Sequence, residues 1–159
     1  MDTHQSAFLA SPLGDIEICL SGDNLTSLSI KADCSSRSVP VTHPALERAI
    51  RQLSEYFQGV RRTFDLPFNL RGTPFQMEVW RALRDIPYGQ TLTYGELAKK
   101  VGRPGSARAV GGAVGANPLP IVIPCHRVMG SSGAITGYSA GDGIPTKKAL
   151  LDLEGITYR

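Results

Sequence analysis

The chain divides near "FNLRGTP", residues 68–74: short alternating stretches and one helical stretch precede it, and a longer, mostly helical half follows. Before it, "AFLASPLGDIEICLSGDNLTSLSIKA" alternates at Ile16, Ile18 and Leu20, with turn residues at Pro12-Leu13-Gly14 and Gly22-Asp23-Asn24, so it predicts short strands. "HPALERAIRQLSEYFQG" then sets Leu46, Ile50, Leu53 and Phe57 at helical spacing and stops at Gly59. Beyond the division, Thr73 can cap a helix with Pro74 at its first position and Phe75, Val79, Ala82, Leu83 and Ile86 as its apolar stripe. Thr93 can cap "YGELAKKV", with Leu97, Ala98 and Val101 inward. "GRPG" breaks the chain, and Ser106 or Gly105 opens another helix to about Gly115. Two short helices joined by a Gly-containing turn form a helix-turn-helix. The expected fold is α/β: a small strand-and-helix layer over residues 1–70, in which no chemistry is visible, and a mostly helical domain over 71–159.

A chain of 159 residues with 42% apolar content can bury a core of ordinary size. Its longest apolar runs fall far short of the roughly 20 residues that cross a bilayer. "MDTHQSAFLASPLG" lacks a basic region followed by a long apolar stretch, so a cytoplasmic location is expected. Three widely spaced cysteines, Cys19, Cys34 and Cys125, argue against a disulfide framework and suit a reducing compartment. The net charge of +3 is small, but Arg81, Arg84, Lys99, Lys100, Arg103, Arg108 and Arg127 outweigh Glu78, Asp85 and Glu96 across residues 74–131. That excess fits either a solvated mixed surface or an anionic partner.

Two stretches carry chemistry. "SARAVGGAVGAN" is rich in glycine and alanine, with Arg108 its one long polar side chain. Small residues can serve close helix packing; alternatively, a nearly smooth helix can press into the minor groove of DNA, only about 6 Å wide. Arg108 would then probe the base stack. The second stretch, "IVIPCHRVMG" (residues 121–130), reads as a buried strand ending in Cys125, His126 and Arg127. Buried cysteines are commonly inert. Here the imidazole and guanidinium seldom lie buried without partners, and a neighbouring base or cation activates a thiol. In an extended segment Cys125 and His126 point to opposite faces, so the pair needs a water or a turn to communicate.

"PCHRV", preceded by "GANPLPIVI" and followed by "SSGAITGYSAG", resembles the O6-alkylguanine-DNA alkyltransferases, repair proteins that move an alkyl group from guanine onto their own cysteine. The resemblance covers roughly Thr73 to Gly155. In residues 1–70 only the strand-and-helix layout is similar to the family's RNase H-like layer. It implies that Cys125 is the alkyl acceptor, His126 the base acting through a bound water, and Glu154 in "LDLEG" the carboxylate that orients the imidazole, as in a hydrolase triad. It further implies that Tyr94 rotates the guanine phosphate and helps protonate the departing base, and that Asn117, before Pro118, is the hinge between the second helix and the reactive segment. By the same resemblance Arg108 is expected to fill the place of the flipped nucleotide, with Ser106, Ala107, Ala109, Gly111 and Tyr94 as the rest of the DNA contact, and Pro120, Val128, Tyr138 and Ser139 are expected to line the substrate pocket.

Double-stranded DNA carrying O6-alkylguanine, and O4-alkylthymine as a second lesion, is thus the implied partner of a monomer that needs no cofactor. The transfer forms a thioether, which has no polarised carbonyl for water to attack, so one protein repairs one lesion. Some relatives bind zinc in the N-terminal layer, but His4, Cys19, Cys34 and His43 show none of the close ligand pairs that structural zinc favours, and no metal is expected. Two other classes share parts of the pattern. A non-catalytic lesion-binding protein of the alkyltransferase-like group would lack Cys125, and a cysteine hydrolase would turn over repeatedly and has no use for the smooth helix.

Overall fold

The computed structural model describes residues 4–31 and 43–159. They fall into two compact units, Met1–Leu70 with Ala140–Asp142, and Arg71–Ser139 with Gly143–Arg159. In the first, β1 (His4–Leu9), β2 (Asp15–Ser21) and β3 (Asn24–Lys31) form an antiparallel sheet in the order β1-β2-β3. The alternation of β2 is expressed directly: Ile16, Ile18 and Leu20 are buried, and Cys19 between them is half-buried on the other face. Helix α1 (Pro44–Phe57) lies against this sheet. Its buried stripe is Leu46, Ala49, Leu53 and Tyr56. Ile50 and Phe57, expected to be inward, are only half-buried, because the small Ala49 and the large Tyr56 occupy the centre of the contact face. His43 caps the helix, its Nδ1 accepting from the Ala45 amide, and its Nε2 lies 3.1 Å from Asp23. Cys34 lies outside the described residues, as does the side chain of His4. Among the described residues no cluster of three metal-ligating side chains occurs.

The second unit holds four α-helices. Helix α2 (Pro74–Arg84) begins with a capping box in which Thr73 and Gln76 each satisfy the other's amide. Thr93 and Glu96 repeat that device at α3 (Tyr94–Lys100), which follows the two-residue strand β4 (Leu92–Thr93). The hydrogen bonds from Thr93 hold the Glu96 carboxyl below its usual range. The turn to α4 (Ala107–Gly115) requires left-handed backbone at Gly102 and Gly105, with φ of 75° and 85°. Ser106 stands at the cap position of α4 without a side-chain cap. The Trp80 indole donates to the Ala113 carbonyl at 2.8 Å, tying α2 to α4 through a buried hydrogen bond. Val79, Leu83, Ile86, Leu97 and Val110 form the core, whereas Phe75 and Val101 are half-buried at its edge. Strand β5 (Val128–Met129) pairs in parallel with β4, and α5 (Ile144–Leu153) packs against the turn that contains Cys125. No helix among the described residues is long and apolar enough to cross a membrane.

Candidate active site and DNA-facing helix

The segment before Cys125 is not a strand. Asn117, just past the Ala116 C-cap of α4, reaches forward, its Nδ2 donating to the Ile123 carbonyl at 2.8 Å while its Oδ1 accepts from the Leu119 amide at 2.9 Å. The Ile123 amide bonds back to Leu119, and Ile121 is held at φ 77°, a region that β-branched residues avoid. Pro124, at φ −80° and ψ 67°, is the centre of an inverse γ-turn closed by the Cys125 amide on the Ile123 carbonyl at 2.8 Å. Cys125–Arg127 then form one turn of 3₁₀ helix. Pro120 and Pro124 lack the N–H donors a ladder would need, and the Asn117 side chain occupies the Leu119 amide and the Ile123 carbonyl, which is why an apolar run of strand-like composition coils instead. The three side chains are therefore distributed around a helical turn rather than on alternating faces.

Cys125, His126, Arg127 and Glu154 are all buried. The Glu154 carboxylate, at the C-terminus of α5, accepts four hydrogen bonds. Its Oε1 takes Arg127 Nε at 2.8 Å and the Gly89 amide at 3.1 Å; its Oε2 takes Arg127 Nη2 at 3.0 Å and His126 Nε2 at 2.6 Å. That set fills the acceptor capacity of an ionised carboxylate, so His126 Nε2 must be the donor and Nδ1 carries the free lone pair. Nδ1 has no hydrogen-bond partner among the described residues. Burial holds His126 below the ordinary imidazole range, against the raising influence of Glu154, so the ring rests neutral and able to accept a proton. Arg127 also donates to the Ile86 carbonyl at 2.7 Å and lies 5.7 Å from the Tyr88 ring centre. The sequence pattern marked Arg127 only as a residue needing a partner; the structure makes it the bidentate clamp on Glu154.

Cys125 opens onto a cleft of ≈340 Å³ whose walls include Tyr94, Gly111, Gly137, Tyr138 and Ser139. Its Sγ lies 3.9 Å from the Tyr138 hydroxyl, and Ser139 Oγ donates to the Gly115 carbonyl at 2.9 Å, joining the Gly137–Ser139 loop to α4. Burial pushes the thiol up from its usual value. Hydrogen bonding with Asn117 and Tyr138 and the charge of Lys147 oppose that rise. Of the expected pocket residues, Tyr138 and Ser139 line the cleft, but Pro120 and Val128 do not. Both are buried: Pro120 sits in the turn that Asn117 braces, and Val128 in β5 packs inside the fold. Val114 and Gly115 of α4 complete the lining and were not anticipated.

On α4, Val110, Ala113 and Val114 are buried, whereas Arg108, Ala109, Gly112 and Gly115 are exposed and Ser106, Ala107 and Gly111 half-exposed. A β-carbon built at Gly112 or Gly115 would meet nothing within 4 Å, and at Gly111 only an ordinary contact with the Tyr94 ring at 3.7 Å. Packing within the protein therefore does not require these glycines. Arg108 makes no hydrogen bond or ion pair with another described residue. The outer face of the helix thus consists of one free guanidinium on an otherwise nearly smooth surface.

A fold with a ribonuclease-like layer, a helix-turn-helix unit and a cysteine backed by His and Glu defines a class of self-modifying DNA repair protein, and comparison with known proteins gives the same class. Residues 74–156 match the family model of the 6-O-methylguanine DNA methyltransferase DNA-binding domain, and residues 6–70 that of its ribonuclease-like domain. A methylated-DNA--protein-cysteine methyltransferase of Mycobacterium bovis is 48% identical over 147 residues, covering 91% of this chain and 88% of that one. The constitutive one of Bacillus subtilis is 44% identical, covering 94% of each. An OGT of Mycobacterium tuberculosis, solved in complex with DNA, superposes with a TM-score of 0.83 at 47% identity, covering 94% of this chain and 91% of that one. The chain belongs to the 6-O-methylguanine DNA methyltransferase family.

Proposed function

We propose that the protein repairs O6-alkylguanine, and O4-alkylthymine, in double-stranded DNA by moving the alkyl group irreversibly to Cys125. The observation that carries this reading is the thiol at the base of a cleft, backed by a neutral imidazole whose outer nitrogen is tied to a saturated carboxylate. His126 accepts the thiol proton at Nδ1 by way of a bound water, and Glu154 stabilises the imidazolium that results. The thiolate attacks the alkyl carbon in line, the C–O bond breaks, and the departing guanine recovers a proton with the help of the Tyr94 hydroxyl. Asn117 keeps the Cys125 turn fixed to α4, and Tyr138 and Ser139 close over the base.

The target atom is shielded in a stacked duplex, so the nucleotide must be extruded, at a cost of a few kcal/mol. The smooth face of α4, with Ser106, Ala107, Ala109 and Gly111, enters the minor groove, and Arg108 fills the space the base leaves. In this account residues 71–159 bind DNA and accept the alkyl group, residues 1–70 form the accompanying layer, and the protein acts as a monomer in the cytoplasm. Peptide mass mapping after reaction with methylated duplex tests the assignment. A single methyl on the Cys125 peptide is expected, and a methyl on Cys19 or Cys34 instead would overturn it.

A further inference from the structure

The stretch Ile86–Gly89, between α2 and β4, meets the Arg127–Glu154 pair at both of its ends. The Ile86 carbonyl accepts from Arg127 Nη1 at 2.7 Å, and the Gly89 amide donates to Glu154 Oε1 at 3.1 Å. Gly89 takes φ 79°, the left-handed backbone that brings its amide back onto the carboxylate. Between these two bonds stands Tyr88. Its ring centre lies 5.7 Å from the Arg127 guanidinium carbon, and its hydroxyl donates at 3.3 Å to the carbonyl of Leu153, the residue that precedes Glu154 at the end of α5. Pro87 and Gly89 are exposed and Tyr88 is half-buried, whereas the Glu154 side chain has no exposed surface and that of Arg127 only 7%. Tyr88 therefore stands at the boundary between solvent and a buried ion pair, in contact with both partners' supports.

We propose that Tyr88 is a positioning residue for the transfer: by bridging the Arg127 guanidinium and the end of α5, it keeps water off the ion pair and holds the Glu154 carboxylate on His126. This rests on the assignment of His126 as the base. An arginine–carboxylate pair open to solvent is weak, because water screens it and competes for its lone pairs. Glu154 has no lone pair to spare. Its Oε2 must stay with His126 Nε2 at 2.6 Å, since that bond fixes the tautomer in which Nδ1 is the proton acceptor. The face of an aromatic ring attracts a guanidinium and shields it at once, so the ring fixes Arg127 while the hydroxyl fixes the backbone next to Glu154. Tyr88 is not among the residues that line the Cys125 cleft, and it lies outside α4. Its influence therefore falls on the proton acceptor and not on the grip on DNA.

The test follows the His126 Nε2 proton by NMR of the full chain with ¹⁵N-labelled histidine, alongside transfer from methylated duplex and from free O6-benzylguanine. In Tyr88→Leu the proton resonance should be lost to exchange with water, and transfer from both substrates should slow alike, about tenfold, with duplex affinity unchanged. Tyr88→Phe keeps the ring and loses only the bond to Leu153, so it should recover most of the rate and the resonance. A folded Tyr88→Leu protein whose Nε2 proton exchanges as in wild type would overturn the proposal alone. A proton lost with the rate unchanged would overturn the role of His126 as base, and the proposal with it. Slowing on duplex but not on the free base would overturn it too, by making Tyr88 a DNA contact. One measurement needs no variant: in wild type the Nε2 proton should exchange slowly enough to be observed at neutral pH, and its absence there would show that the pair is not sealed.

Discussion

Among single residues, the chemistry at Cys125 depends most on those that never touch it. Glu154 is held by four donors, two of them from Arg127. Arg127→Ala leaves a buried carboxylate half-satisfied, and removing one partner of a buried pair costs about 3–5 kcal/mol. Urea denaturation should register that loss, and a change below about 1 kcal/mol would mean that Arg127 is an exposed-type pair in disguise. His126 gives a second expectation with a definite sign. Its folded-state pKa lies below the usual value of 6.5, so the unfolded chain binds the proton more readily. The stabilisation is complete above about 6.5 and is lost as pH falls through the lower folded-state value. Melting temperature measured between pH 8 and 5 should decline for wild type and decline less for His126→Gln; parallel curves would contradict the burial of a neutral ring. Adjacency in "PCHRV" exposed three of these groups to a reader of the sequence, and "LDLEG" the fourth by resemblance. Lys147 left a quieter trace: it falls in helical phase with Leu150, Leu151 and Glu154, a spacing that marks it as inward although its neighbour Lys148 is an ordinary surface lysine.

At the scale of elements, α4 combines poor helix-forming residues with an outer face that packing leaves open. Gly112→Ala tests why. Since a β-carbon there meets nothing, the substitution should stabilise the protein by about 1 kcal/mol. If the face enters the minor groove, the same methyl should weaken binding to duplex DNA. A gain in stability with unchanged affinity would return the glycines to an accident of composition. The pocket loop offers another test, because the Arg159 amide donates to the Gly133 carbonyl and the Ile135 amide to the Arg159 carbonyl, each at 3.1 Å, just ahead of Tyr138. Arg159→Pro deletes one of these bonds and should slow transfer, whereas Arg159→Ala retains both and should not; equal rates would show that the loop holds itself. The helices were legible because their caps are local: Thr73 with Gln76 and Thr93 with Glu96 lie three residues apart. The Cys125 turn was not, since its bends depend on Asn117 and Ile123, which meet only when the chain folds. For the same reason composition suggested a strand where the structure has a 3₁₀ turn, and the resemblance placed Val128 in the pocket where the structure buries it in β5.

For the whole molecule, binding and chemistry belong to different groups. Cys125→Ser should therefore abolish transfer while duplex affinity, dominated by backbone contacts, stays near wild type and falls with salt. Arg108→Ala should strongly slow repair of a lesion in duplex DNA and barely affect reaction with free O6-benzylguanine, which needs no extrusion; equal slowing of both would place Arg108 in the fold or the thiol's environment. Irreversible transfer to Cys125 sets a strict stoichiometry, which is read by titrating the protein with excess duplex carrying a labelled O6-methylguanine and counting transferred label against protein. A plateau is expected at one methyl per protein, all of it on Cys125, with no further demethylation however long the incubation. Continued conversion of lesion by protein that remains unmodified would contradict it.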